Sequence, residues 1–519
     1  MRMMTNKMKF FSMAVLFVAA AALTSCEKET LSNVVSGTYT TTVDMAENNT
    51  KALTSGGVKT FAAGERIAVI YKNTNGDTKK AVSAALIAGD IQNSGKKAQF
   101  TVELEDPDNT AAIRYIYPAS MAKATIATDA TMDDAGTIDF TKLCNQNGTL
   151  DNIDSLDLCV FEAASWGGTE LPANQTLTNK LAIGKFSFKK SGSPINSDIK
   201  MLYIGDGTHS YYIQRPSASG DPIFVAMMPV ANQFFTFHAA NADGSNKYEY
   251  EVSNKTLLAN KWYELEISTT KLQTGATFGK FSIDGSNTVH FSQGNLQYDQ
   301  STNTWSFMDY QWSTVETSGQ NVGDDYANQN IVSLFGWSAN VTNNFGISTS
   351  TSTSDYSGSF VDWGTNNITN GGGANYWSTP STDAWQYIFN TRSASTGRFA
   401  QAYLLGTTHG VILFPDHYTH PNDVPVPTGI NLTGNTSWNG NRYTAEQWAK
   451  MEAAGAVFLP AAGSRRGTGV FDVGGSGDYW SSTAADGNCA WYVDFYENYV
   501  GPGGNYYRYV GQSVRLVCE

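Results

Sequence analysis

One short segment raises the question of chemistry first. Residues 415–423, PDHYTHPND, hold Asp416, His417, His420 and Asp423, oxygen and nitrogen donors at a spacing that could hold a divalent cation. Prolines at both ends predict an exposed loop, and nothing in the spacing fixes a coordination geometry, so we assign no metal. Asp472 and Asp478 could form an acid–base pair, but two acids at loop spacing are common. Arg465 and Arg466, in GSRRG, read either as a solvated pair or as structural partners for carboxylates. No GxSxG, P-loop or HExxH pattern occurs. The chain is therefore read as not an enzyme, with no catalytic residue and no cofactor.

A second chemistry lies further along. Between YWSST and GQSVRLV stand Trp491, Tyr492, Tyr496, Tyr499, Tyr506, Tyr507 and Tyr509, interleaved with Asn, Gly and Asp. Tyrosine gives broad, rigid contact area with one polar tip, while Gly and Asn give adaptable backbone and hydrogen bonds. These seven are the candidate ligand-binding residues, placed on loops beside the final strand-like SVRLV.

The elements that must hold such a surface can be read from the same residues. At 519 residues the chain exceeds one core, and a 16% charged content with net charge −13 gives no nucleic-acid surface. Aromatic, Thr, Asn and Gly content favours strands and turns. Short alternating runs such as ERIAVIYKN, KKAQFTVELE, GKFSFKK and KYEYEVS, separated by NGD, NSG and ADGS, predict one or two β-sandwiches. Tryptophans become frequent in the second half, where they are read as core. Two helices are predicted there: one after Ser381, with Trp385, Ile388 and Phe389 on one face, and one after Thr444, with Gln447 in capping-box spacing and Gly455 as its stop. Cys144 with Cys159 and Cys489 with Cys518 are possible disulfides, each left open.

The amino end is basic, then apolar to Cys26, which reads as a signal peptide rather than a membrane span. Its LTSC ending resembles a bacterial lipobox, implying lipidation of Cys26 and a surface-exposed, lipid-anchored position at the cell outer membrane. TKALTSGGVKTFAAGERIAVIYKN, FVAMMPV and SNKTLLANKWYELEI resemble fimbrillin-like proteins. That resemblance implies transthyretin-like sandwiches and a role in surface pili, with other pilus subunits as partners. Lys51, in TKAL, matches a basic position where some relatives are trimmed; an ordinary loop lysine is the other reading. LFGW, VDWG, AWQYIFNTR, GVILFPD, WAKMEAAGAVFLPAAGSRRG, GDYWSST and GQSVRLV resemble bacterial paralogous modules with a C-type-lectin-like fold, relatives of the formylglycine-generating enzyme. Neither the enzyme's close cysteine pair nor the calcium-lectin motifs are present.

The fold expected is thus mainly β: transthyretin-like β-sandwich units followed by an α+β C-type-lectin-like domain. The divisions are a signal peptide over 1–25, a tether over 26–37, sandwiches over 38–272, a linker over 273–280 and the lectin-like domain over 281–519. The function expected is a lipoprotein adhesin binding a host or bacterial surface protein or glycan. The alternatives are a structural pilus component, or a variable receptor of a diversity-generating retroelement, in which Cys489 is one sampled variant.

Overall fold

Period-two alternation of apolar residues makes strands through most of the chain, and the fold is mainly β. The computed structural model describes residues 36–45, 60–167, 169–314 and 331–519. The expectations for Cys26 and Lys51 lie outside them. No helix among the described residues is long and apolar enough to cross a membrane.

The first unit is an eight-stranded sheet. Third from one edge, Gly37–Met45 pairs antiparallel with Lys97–Leu104 and parallel with Gln175–Asn179. Alternation in Ala68–Lys72 sends Val69 and Tyr71 into a core with Phe100, Tyr115 and Leu177. Ala68 and Ile70 on the other face join a second core. That second core fills a sandwich. One sheet aligns Lys261–Ser268, Ala182–Lys190 and Ile223–Met227; the other carries Lys247–Leu257, Val230–Ala240, Met201–Gly205 and Ser210–Gln214 in that order. Phe186, Phe188, Leu202, Val225 and Phe237 lie between them. The two units thus share apolar contact through Ile70, Ile116 and Val160.

Residues 281–519 are richer in turns and carry both predicted helices. Ser381 Oγ accepts from the Ala384 N–H and starts Thr382–Gln386, which continues as a π turn over Tyr387–Thr391. Thr444 and Gln447 form the capping box of Ala445–Ala453, and Gly455, at φ +98°, ends it. Trp337, Trp363, Trp385, Trp448 and Trp480 are fully buried, as expected of core tryptophans. The last strand, Val517–Cys518, pairs with Thr288–Phe291, joining Phe291 to Val517 and His290 to Cys518.

The stretch 273–280 is packed rather than extended in solvent. Ala276 and Phe278 are buried, and Lys280 Nζ lies 3.0 Å from Glu249 and 2.9 Å from Glu251. The metal-like segment 415–423 also belongs to this seam, which corrects the expectation of an exposed loop. Tyr203 Oη donates to Thr419 O at 2.6 Å, and Asn422 Oδ1 accepts from the Ser210 N–H at 2.6 Å. The His417 ring stacks on Phe234 at 3.8 Å. Asp416 holds the buried Arg392, and Asp423 accepts from Lys450 and Asn145. The donors are spent on docking, and no cluster of three or more His, Cys, Asp or Glu suited to a metal occurs among the described residues.

Cys144, Cys159, Cys489 and Cys518 stand as unbridged thiols, so neither disulfide forms. The cores explain it: Cys159 belongs to the first unit and Cys518 is buried opposite His290, whereas Cys489 is half-exposed on a different sheet.

Candidate recognition surface

Three antiparallel strands, Ser476–Ala484, Cys489–Tyr496 and Tyr499–Tyr507, carry all the tyrosine-rich residues except Tyr509. The stretch is therefore a regular sheet, not loops. Its middle strand alternates from Val493 to Tyr496, with Val493 and Phe495 in the core, and breaks step at Tyr492. Its outer strand is an edge, which tolerates Pro502. Asp486 Oδ1 caps the first turn by accepting from the Asn488 and Cys489 N–H groups. Asn498, at φ 68°, makes the second turn, a conformation that Asn adopts more readily than most residues.

Buried Gln401 pins that second turn from beneath. Its Nε2 donates to Tyr496 O at 2.7 Å and Tyr499 O at 3.1 Å, and its Oε1 accepts from the Asn498 N–H at 2.8 Å. A glutamine in the strand Phe399–Leu404 gave no signal in the sequence. Its partners lie in a turn far along the chain.

Register sorts the seven candidates onto two faces. Tyr496 pairs with Tyr499 and Tyr492 with Gly504, so Tyr492, Tyr496, Tyr499 and Tyr506 share one face. Trp491, opposite Asn505, and Tyr507, opposite Cys489, share the other. Tyr509, beyond the strand, stacks on Tyr507 with ring centroids 5.4 Å apart. The structure does not bring all seven together.

The first face is the more elaborate. Tyr496 and Tyr499 stack at 4.6 Å and 17° while staying 50% and 39% exposed. Such cross-strand aromatic pairs stabilise the sheet while presenting ring surface to solvent. Tyr492 meets Tyr506 at 6.1 Å. Arg466 lies 5.5 Å over the Tyr506 ring and donates to its hydroxyl at 2.7 Å. Arg465 instead is fully buried, donating to the carbonyls of Leu334, Ser348, Gly346 and Gly467. The two arginines thus differ from either sequence reading: one is structural through carbonyls, the other orders a tyrosine.

Within this face Asp478 lies directly opposite Asp494. Burial pushes the Asp478 carboxyl up to about 7; the Ser476 hydroxyl bond opposes this, and the charges of Asp494 and Asp472 reinforce it. Burial also raises Asp494, whose Oδ1 is buried without a hydrogen-bond partner. Gly501 and Gly504 face this carboxylate: an added Cβ would stand 2.7 Å and 3.2 Å from Oδ1. The glycines clear the space that the carboxylate and the tyrosine rings occupy. Burial thus keeps the Asp478 carboxyl protonated to higher pH than an ordinary carboxyl, opposite a second raised carboxyl and framed by aromatic rings. Sequence spacing singled out Asp472 with Asp478; the cross-strand partner Asp494 needed the register.

No known family model matches the chain, and no curated protein matches it. Among solved structures, a fimbrial assembly protein from Parabacteroides distasonis is 10% identical with a TM-score of 0.28, covering 53% of this chain and 99% of that one. A fimbrial protein from Bacteroides ovatus is 11% identical with a TM-score of 0.23, covering 93% and 99%. A minor pilin from Streptococcus agalactiae is 10% identical with a TM-score of 0.17, covering 46% and 97%.

Proposed function

We propose that this chain is a cell-surface adhesin that holds a protein or glycan partner on the face built from Tyr492, Tyr496, Tyr499 and Tyr506. The supporting observation is the solvent-exposed Tyr496–Tyr499 stack beside a carboxyl pair that the surrounding glycines leave room for. Aromatic rings of this kind pack against sugar rings or apolar side chains, and the tyrosine hydroxyls supply directional hydrogen bonding. In this reading Cys26 anchors the chain to the outer membrane by its lipid. The β units then give reach, and 281–519 is the lectin-like tip.

The structural pilus reading has its own support. Lys261–Ser268 pairs with Ala182–Lys190 and, among the described strands, with no other. A strand open along one edge is a template for another chain. A variable receptor of a diversity-generating retroelement would use the same tyrosine face, with sequence differences between copies concentrated there.

The test is binding of the detergent-purified full chain to glycan arrays and cell surfaces, beside the Tyr496→Ala, Tyr499→Ala double variant. The adhesin reading expects a loss of at least about tenfold in affinity in a variant that still folds cooperatively, with at most the small drop in melting temperature that loss of one cross-strand pair brings. Equal binding by the variant sinks it. Recovery of the chain in isolated fibres, without ligand binding, selects the structural subunit.

A further inference from the structure

The seam between the second sandwich and 281–519 leaves a cleft of about 590 Å³, within the range of small-molecule sites. Its floor is the end of the six-stranded sheet. Its walls are the turn after Val230–Ala240 and the exposed side of the helix Ala445–Ala453.

Two lysines line the cleft, Lys200, whose Nζ donates to Pro216 O at 2.6 Å, and the more enclosed Lys247. Lys247 Nζ donates to Ala276 O at 2.8 Å and lies 5.9 Å over the Phe278 ring. No carboxylate stands within ion-pair distance of it among the described residues. Lys280 by contrast pairs with Glu249 and Glu251, and Lys450 with Asp423 and Glu446. Burial lowers the Lys247 pKa, and Glu452 is the anion that acts back on it. Glu452 Oε1 is itself engaged by Gln311 Nε2 at 2.8 Å. A half-buried ammonium that has one carbonyl acceptor and no paired anion keeps unused donors on the lining of the cleft.

The remaining lining defines what could enter. Arg215 gives its donors to the Asn196, Ile199, Ser219 and Asp221 backbone oxygens and to the Ser219 hydroxyl, so it is wall rather than ligand group. Tyr212 supplies half-buried aromatic surface, with Gln214 Nε2 donating to its hydroxyl at 3.2 Å, whereas the Phe278 ring is buried beneath Lys247 and stacks on His238 at 4.8 Å. Glu452 and Asp243 at the rim oppose a doubly charged anion.

We infer that the cleft binds a small carboxylate-bearing sugar, with its carboxylate on Lys247 Nζ and its ring against Tyr212. The site is separate from the tyrosine face and does not depend on that face being a recognition surface.

Calorimetric titration of the full chain tests it, with glucuronate and N-acetylneuraminate as probes and glucose and glucose 6-phosphate as controls. At least one sugar acid should bind, at least about tenfold more tightly than glucose or the phosphate. Lys247→Met, which keeps the aliphatic stem over Phe278, should weaken that binding at least about tenfold. Ala449→Trp, which fills the cleft from an exposed helix position, guards against a Lys247 variant that disturbs the seam, and should give the same loss. Absence of binding by both acids overturns the proposal. So does undiminished binding by either variant, or equal binding of the neutral sugar.

Discussion

Replacing Asp478 by asparagine isolates the energetic cost of burying a carboxyl opposite Asp494. The native carboxyl is displaced from its ordinary 3.8 to about 7. Below about pH 4 it is protonated in folded and unfolded chains alike, and burial there costs nothing extra. As pH rises from there to about 7, the unfolded chain releases its proton first, so stability falls; above about 7 the loss is complete. The span is roughly three pH units at about 1.4 kcal/mol each, so the native protein forgoes up to about 4 kcal/mol at alkaline pH. The amide in the Asp478→Asn variant cannot ionise, and its oxygen can still accept from the Ser476 hydroxyl that bonds Asp478 at 3.1 Å in the native chain. Urea unfolding at about pH 4 should therefore give nearly equal stabilities for the two proteins. At about pH 8 the variant should be more stable by a few kcal/mol. A difference that does not change with pH would refute the reasoning, because it would mean that the buried charge is not what sets the cost.

Three further outcomes follow from other parts of the structure. Arg465→Ala strips buried carbonyls of their guanidinium donors and should cost at least about 3 kcal/mol in chemical denaturation. At the seam, burial lowers His238, so the unfolded chain takes up this proton first as pH drops below 6.5. Glu249 is buried as well, which alone would raise it, but His290, Lys280 and His238 together hold it at about 2. Stability should thus decline on acidification, first through His238 just below pH 6.5 and then through Glu249 below its ordinary 4.5; thermal melts should show the first part missing in His238→Gln. Finally, maleimide labelling of the native chain followed by peptide mass mapping should modify Cys489 well before Cys144 and Cys518. Burial pushes those two thiols up to about 12 and covers them.

Local signals in the sequence translated well. Ser381 and Thr444 cap the helices they were read to cap, because a cap is a contact between residues three apart. Tryptophans read as core are core for the same reason that any large apolar ring is. What failed was the detail set by particular distant partners. Tyrosine, asparagine and glycine density around Tyr499 looked like loop, yet the period-two alternation through Val493 and Phe495 is what the sheet obeys. Which tyrosines share a face depends on register, and a bulge between Tyr492 and Asp494 resets it. The segment 415–423 carries good metal-ligand types, but Arg392, Lys450 and Phe234 claim them from other elements. No spacing rule reports such partners.

The clasp between Thr288–Phe291 and Val517–Cys518 also sets an order of events. Val514 and Leu516 lie in the core with Trp337 and Trp363, so the tryptophan cluster cannot be sealed until that last segment is in place. The cores of the β units draw on no residue beyond Ile267, so they can close while 281–519 still holds open apolar surface. Contacts this far apart in sequence form slowly, and the waiting state is the one most exposed to misassembly. The clasp therefore works as a timer: 281–519 becomes a finished surface only once its closing strand has been made.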